Sequence, residues 1–273
     1  MAAFAAHKPK LRHMRIVAET AWPLIASMLH ASLVFVAAVF ALAGFVKGVI
    51  GLGLPTISMG LLALVMSPVE AAAILIVPSL LTNIWQMLSG RSLRAVAQRL
   101  WPMMAAVCLG TWLGADLMTG AYGRYGTAIL GIALALYAVT GLATFHLAIP
   151  RGREAVLGPL AGAATGVITA ATGVFVIPAV PYLQAIGFEK DDLVQALGLS
   201  FTVSTIALAV NVGVVGALSF SVTGPTVVAV ILAVAGMWIG QVLRLRLSPA
   251  KFRRWFFAAL LLLGLYLFAG SIA

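Results

Sequence analysis

Chemistry in this sequence centres on Lys47, the only basic side chain outside the loops, within Gly44-Phe-Val-Lys47-Gly48-Val-Ile-Gly51-Leu-Gly53. A charge in an apolar run costs about 3 kcal/mol at a helix centre on insertion scales. Such a lysine either snorkels to the interface or faces a cavity or partner. The chemistry open to it is electrostatic, as an anion ligand or an attractor for anions. Glycine breaks let a ligand approach the backbone, and the N-terminal end of a half-helix offers free N–H donors and a partial positive charge. Lys47, Gly48, Gly51 and Gly53, with Asn83 downstream, are therefore candidate substrate-binding residues. Thr169, Thr172 and Gly173 mark a second break and complete the set.

Other chemistries find little footing. Glu19, Glu70, Glu154, Glu189, Asp191 and Asp192 lie at segment ends, and Asp116 lies near the end of its helix. A proton pump usually carries a buried carboxylate relay; here Asp116 is the one candidate, and it reads as an interfacial cap. His7 and His13 belong to the tail, and His30 and His146 fall toward helix ends. There is no Gly-x-x-x-x-Gly-Lys-Ser/Thr motif and no metal-ligand spacing, so neither cofactor nor metal is expected. Cys108 is the only cysteine and reads as a small packing residue. The competing reading is a membrane-embedded enzyme acting on a lipid phosphate, which would have to assemble a site from residues such as Glu70, Arg91 and His30.

The elements that position these residues follow from composition. The chain has 273 residues, 63% hydrophobic and 9% charged, with a mean hydropathy of +1.11. Soluble domains carry roughly 25% charged residues, so most of this surface must face lipid. At about 20 residues per pass, the length allows on the order of eight to ten membrane segments and no soluble domain. Nucleic-acid binding and cytosolic catalysis are excluded. Apolar runs occupy roughly 22–66, 69–88, 100–118, 125–149, 155–187, 193–217, 223–243 and 255–272. The first and fifth are too long for one pass and are interrupted by glycine and proline, which argues for broken helices or re-entrant hairpins.

Cations sort the loops. With one net pass plus a re-entrant piece in 22–66, and no net pass in 155–187, fifteen cations fall on the cytoplasmic side and only Arg124 lies outside. Two passes in 22–66 would put eleven outside against five inside, against the positive-inside tendency. The expectation is a multi-pass protein of a bacterial-type inner (plasma) membrane, with a cytoplasmic basic tail at 1–21 and the C-terminus outside.

The chain also contains a repeat. Gly44 to Gly53 resembles Gly162-Ala-Ala-Thr-Gly166-Val-Ile-Thr-Ala-Ala-Thr-Gly173, and Gly110-Thr-Trp112-Leu-Gly114 resembles Gly236-Met-Trp238-Ile-Gly240. The Gly-x-Trp-x-Gly pair reads chiefly as close-packing faces. The expected fold is an all-α polytopic membrane protein with two inverted-topology repeats, 22–149 and 150–273. Each has an interrupted, glycine-rich re-entrant hairpin followed by three transmembrane helices, an odd number of crossings that inverts the second copy. Secondary transporters use this architecture. Small-residue faces also permit a homodimer.

At the glycine breaks, and at Pro68-Val-Glu-Ala-Ala-Ala after them, the chain resembles the TauE/SafE sulfite-exporter family, also called the toluene-sulfonate uptake permeases. The likeness spans nearly the whole chain. It implies an inner-membrane secondary carrier of sulfur-containing or organic anions such as sulfite, sulfoacetate or sulfonates. The second copy departs from the pattern, with Thr169, Ala170 and Thr172 where the first is glycine-rich.

Overall fold

The computed structural model describes residues 32–118, 125–143, 148–214, 216, 224–244 and 246–272. These residues are helical, with no strand among them. The helices are α1 (Ser32–Ile50), α2 (Leu54–Leu62), α3 (Pro68–Leu88), α4 (Leu93–Leu113), α5 (Gly126–Leu142), α6 (Arg151–Thr172), α7 (Ala179–Ala185), α8 (Lys190–Val214), α9 (Gly224–Leu243) and α10 (Pro249–Gly270). Six of them, α1, α3, α6, α8, α9 and α10, are long and apolar enough to cross a membrane. The chain is thus an all-helical, multi-pass membrane protein. Trp85, Trp101, Leu136, Leu262 and Tyr266 are exposed on its flanks, where only lipid can serve as solvent.

Both expected breaks are present. α1 ends at Gly51, whose φ of 77° lets its N–H reach the Lys47 carbonyl at 2.7 Å. Two residues later Gly53, at φ 112°, caps the short α2, with Pro55 in its first turn. α6 ends in the same way at Gly173, at φ 69°, with its N–H on the Thr169 carbonyl at 2.8 Å. A left-handed residue closes a helix at little cost only when it is glycine. The next long helix begins firmly at Ser67, whose hydroxyl caps Glu70 N–H while the Glu70 carboxylate takes the Ser67 N–H, a capping box.

The helices meet through small residues. On α1, a Cβ at Gly44 would collide with the Ala233 carbonyl and one at Gly48 with that of Met237; on α9, Gly236 abuts Ala41 and Gly240 abuts Phe45. The contacts advance together along both chains, so α1 and α9 run parallel. α4 and α6 repeat the pattern, with Gly110 on Ala163, Gly162 on Met103 and Gly166 on Val107. Matching these two contact sets pairs Ala41 with Ala163 and Gly44 with Gly166, both 122 positions apart. That is one helical turn from the sequence pairing of Gly44 with Gly162. Gly51 and Gly173 stand at the same spacing, as do the first residues of α3 and α8. Trp112 and Trp238 are 72% and 63% exposed beside their packed glycines, so each Gly-x-Trp-x-Gly motif turns its glycines to a helix and its indole to lipid.

The remaining close pairs run antiparallel. α3 meets α8 through Ser79 and Thr205, then Gln86 and Val194. α5 meets α10 through Gly131 with Phe268, then Tyr137 with Phe257. At one end of the bundle Arg99 pairs with Glu154 at 2.6 Å, donates to the Ile186 carbonyl and stacks over Phe188. Ile149 N–H meets the Ala185 carbonyl at 2.8 Å, so the segment 150–185 leaves from and returns to that end. α1 points to the same end, and α2 turns back from it. A net crossing by the run 22–66 would therefore have to use residues 22–31, which lie outside the described residues, as does Arg124. Every described cation except Lys47 lies in the segments gathered at this end. α4 starts well before the apolar run expected from residue 100, because Arg94 and Arg99 ride on its first turns at the interface.

Replacing Gly236 with leucine should drive a side chain into the α1 backbone and cost about 1–3 kcal/mol or more. Gly152→Ala, where a Cβ meets nothing within 4 Å, should be neutral or slightly stabilising. Thermal unfolding of the two detergent-purified variants checks this, and equal melting temperatures would refute the packing assignment.

Candidate functional site

Lys47 sits one turn before the end of α1 and does not snorkel, being 3% exposed. Its Nζ donates to Thr82 Oγ1 at 3.1 Å and to Asn83 Oδ1. Both partners are neutral, and no acid among the described residues pairs with it. An ammonium has three N–H donors, so one remains beyond these two bonds.

The acceptors are themselves held in place. Asn83 Nδ2 donates to Ser79 Oγ at 3.0 Å and to Thr205 Oγ1 at 3.1 Å, which uses both amide hydrogens and turns Oδ1 toward Lys47. Thr205 Oγ1 in turn reaches the Phe201 carbonyl at 2.6 Å. Thr82 Oγ1 lies 2.8 Å from the Pro78 carbonyl. Proline 78 interrupts the α3 hydrogen-bond ladder just below this cluster. Ser79, Thr82, Asn83 and Gln86 stand at i, i+3, i+4 and i+7, a single polar stripe on a helix whose only other polar side chain is Glu70 in its first turn. That spacing was the sequence signal for the whole cluster, of which Asn83 alone was singled out.

One turn on, Gln86 Nε2 donates to the carbonyls of Gly51 and Val194, both at 3.2 Å, while its Oε1 has no partner. The first break is thus joined to the Lys47 cluster through Gln86. Gly48 is not part of it, since its open face is filled by α9. Gly53 faces Val46 and Phe256 and serves the turn.

The second break is built differently. Thr169 Oγ1 bonds the Thr165 carbonyl at 2.7 Å, and Thr172 Oγ1 bonds the Ile168 carbonyl at 2.6 Å while accepting from Val174 N–H. Their hydroxyls are committed to their own helix end, and Gly173 packs against Met59 of α2. Buried hydroxyls without a partner occur on α8, at Ser200 and Ser204. The structure therefore brings Lys47, Asn83 and Gly51 together and keeps Thr169, Thr172 and Gly173 around a separate, uncharged break.

Other candidates separate. Glu70 lies in the first turn of α3 and Arg91 beyond its last, about 30 Å apart along a 21-residue helix. His30 lies outside the described residues, and Glu70 and Arg91 do not meet. Asp116 is exposed in a 3-10 turn, Cys108 is exposed and free, and among the described residues no three metal-ligating side chains converge.

Because the burial of Lys47 is repaid only by two neutral acceptors, Lys47→Met should keep or raise thermal stability. Asn83→Leu should lower it by about 1–3 kcal/mol by removing an acceptor from a buried donor. The double variant should recover most of that loss. Melting temperatures of the purified proteins decide, and a destabilised Lys47→Met would show the lysine to be structural.

The Sulfite exporter TauE/SafE family model matches residues 36–267, from α1 through α10. No curated protein and no solved structure matches the chain. With the family match running through both glycine breaks and all of the bundle, the chain belongs to the sulfite exporter TauE/SafE family of membrane transporters.

Proposed function

We propose that this protein carries a small sulfur-containing or organic oxyanion, of the sulfite, sulfonate or sulfoacetate class, outward across a bacterial-type inner membrane, and that Lys47 is its ligand. The observation that carries the reading is a buried lysine whose partners, Thr82 and Asn83, are both neutral. A carboxylate partner would have neutralised the charge and competed with the cargo. An oxyanion instead supplies the missing negative charge and takes the spare N–H, a charge-assisted bond stronger than those to the amide and hydroxyl. The free Gln86 Oε1 marks a polar edge beside it.

The halves 22–149 and 150–273 are read as inverted copies, each a re-entrant hairpin and three crossings. Equal spacing of the breaks, the parallel α1–α9 and α4–α6 contacts and the antiparallel α3–α8 and α5–α10 pairs all favour this arrangement. Two such halves can rock about a shared site. The gathered cations assign their end to the cytoplasm, which places the C-terminus outside. An inside-negative potential contributes about 2.3 kcal/mol per charge per 100 mV to moving an anion outward, so export needs no co-ion.

Efflux of sulfite and of a small sulfonate from proteoliposomes should rise when the interior is made negative. Lys47→Met should reduce it roughly 10- to 150-fold, the equivalent of about 1.5–3 kcal/mol for a lost charged hydrogen bond. Lys47→Arg should keep a measurable fraction. Efflux unchanged in Lys47→Met would remove the lysine from the transport path.

A further inference from the structure

The inner end of α10 carries a second group of cations that the transport site does not use. Lys251, Arg253 and Arg254 follow Arg244 and Arg246 within eleven positions, and no acid occurs in the chain after Asp192. Arg253 is placed by its neighbours, donating to the Gly141 carbonyl at 3.4 Å and standing 5.6 Å over the Phe257 ring. Arg253 and Arg254 line a cavity of about 640 Å³ between α10 and the end of α5, with Gly141, Leu142 and Ala250. Lys251 and Arg254 are exposed and pair with no described residue.

On another face of α10 runs an apolar groove of about 270 Å³ between α10 and the α1–α2 pair, bordered on α10 by Phe252, Trp255, Ala259 and Leu263. Trp255 at its mouth is 77% exposed, where an indole sits well at a membrane interface. Lys251 precedes Arg254 by three positions and Trp255 by four, so one turn of α10 joins the cations to the mouth of the groove. A free phosphate would use the cavity and leave the groove without a role. A phospholipid reaches from Lys251 and Arg254 past Trp255 into the groove.

We propose that this corner binds one anionic phospholipid of the inner leaflet, its phosphate held by the exposed Lys251 and Arg254 and one acyl chain laid along the groove between α10 and α1–α2. The site is independent of Lys47 and of the transported anion. Basic pockets between helices on the cytoplasmic side recognise such headgroups, each cation near the surface contributing about a fivefold preference.

Native mass spectrometry of the full chain released from nanodiscs of equal phosphatidylglycerol and phosphatidylcholine tests this. The wild type should retain phosphatidylglycerol preferentially, and Lys251→Gln with Arg254→Gln should cut the preference roughly 30-fold. Both side chains are exposed, so the fold should survive. Ala259→Trp, which fills the groove and leaves every charge in place, should also reduce retention. Equal retention of the two lipids by the wild type, or a preference unchanged in the double variant, would overturn the proposal. Displacement of the bound lipid by excess inorganic phosphate, with retention unaffected by Ala259→Trp, would show a simple anion site and overturn the lipid assignment.

Discussion

Lys47 brings a charge into the bundle without bringing an acid to meet it, and the side chains around it are arranged about that fact. A buried ion pair would have been self-sufficient, because each charge cancels the other and leaves little reason to admit a third. Two neutral acceptors orient the ammonium and leave it electrostatically unfinished. The anchoring of Asn83 by Ser79 and Thr205 matters for the same reason. An amide free to rotate could present its own N–H groups to the lysine. With both hydrogens already committed, the oxygen is the atom Lys47 meets. The cluster is thereby preorganised from α1, α3 and α8 together, and the proposed anion would pay little to order it.

That three-helix dependence ties the site to the way the halves interlock. α1 packs on α9 and α6 on α4 through glycines that bring backbones into contact, so the long arm of each broken hairpin lies against the far half of the chain. Small residues let these backbones approach closely, so Lys47, on α1, is positioned by α9 of the far half, while Asn83 is held from α3 and α8.

Much of this was legible from sequence, for physical reasons that also mark where it stopped. Composition fixes lipid as the solvent, and Gly51 and Gly173 end their helices in a conformation other residues resist, so each break is marked by a glycine within an overlong apolar run. Lys47 was conspicuous because charge in such a run is rare. The repeat register was off by one turn because Gly44xxxGly48 and Gly162xxxGly166 look alike, yet in three dimensions Gly162 meets Met103 while Gly44 meets Ala233. Glycine spacing records a face and does not record the level of the contact along it. The same ambiguity gave Gly48 to the site when its Cα faces α9. Ser79, Thr82 and Thr205 were visible only as polar residues among many, since a hydroxyl can always satisfy itself on its own helix, and which ones turn toward a neighbour depends on packing. The start of α4 was missed because hydropathy ends at Arg99, while the helix continues through it to reach Glu154.

With the halves superposed on their contacts, the asymmetry between them becomes specific. Lys47 corresponds to Thr169, Thr82 to Ser204, and Asn83 to Thr205, each 122 positions on. The first triad is a charge with two oriented acceptors. In the second, the threonine at the lysine position closes on its own helix, and Ser204 Oγ is left with no partner. A second buried lysine at the Thr169 position would add another burial cost of about 3 kcal/mol, with no acid among the described residues to offset it. One lysine avoids that penalty, and Thr205 is left to anchor the amide of Asn83. The departure of the second half from the glycine and lysine pattern of the first thus leaves a single buried lysine held in a defined geometry.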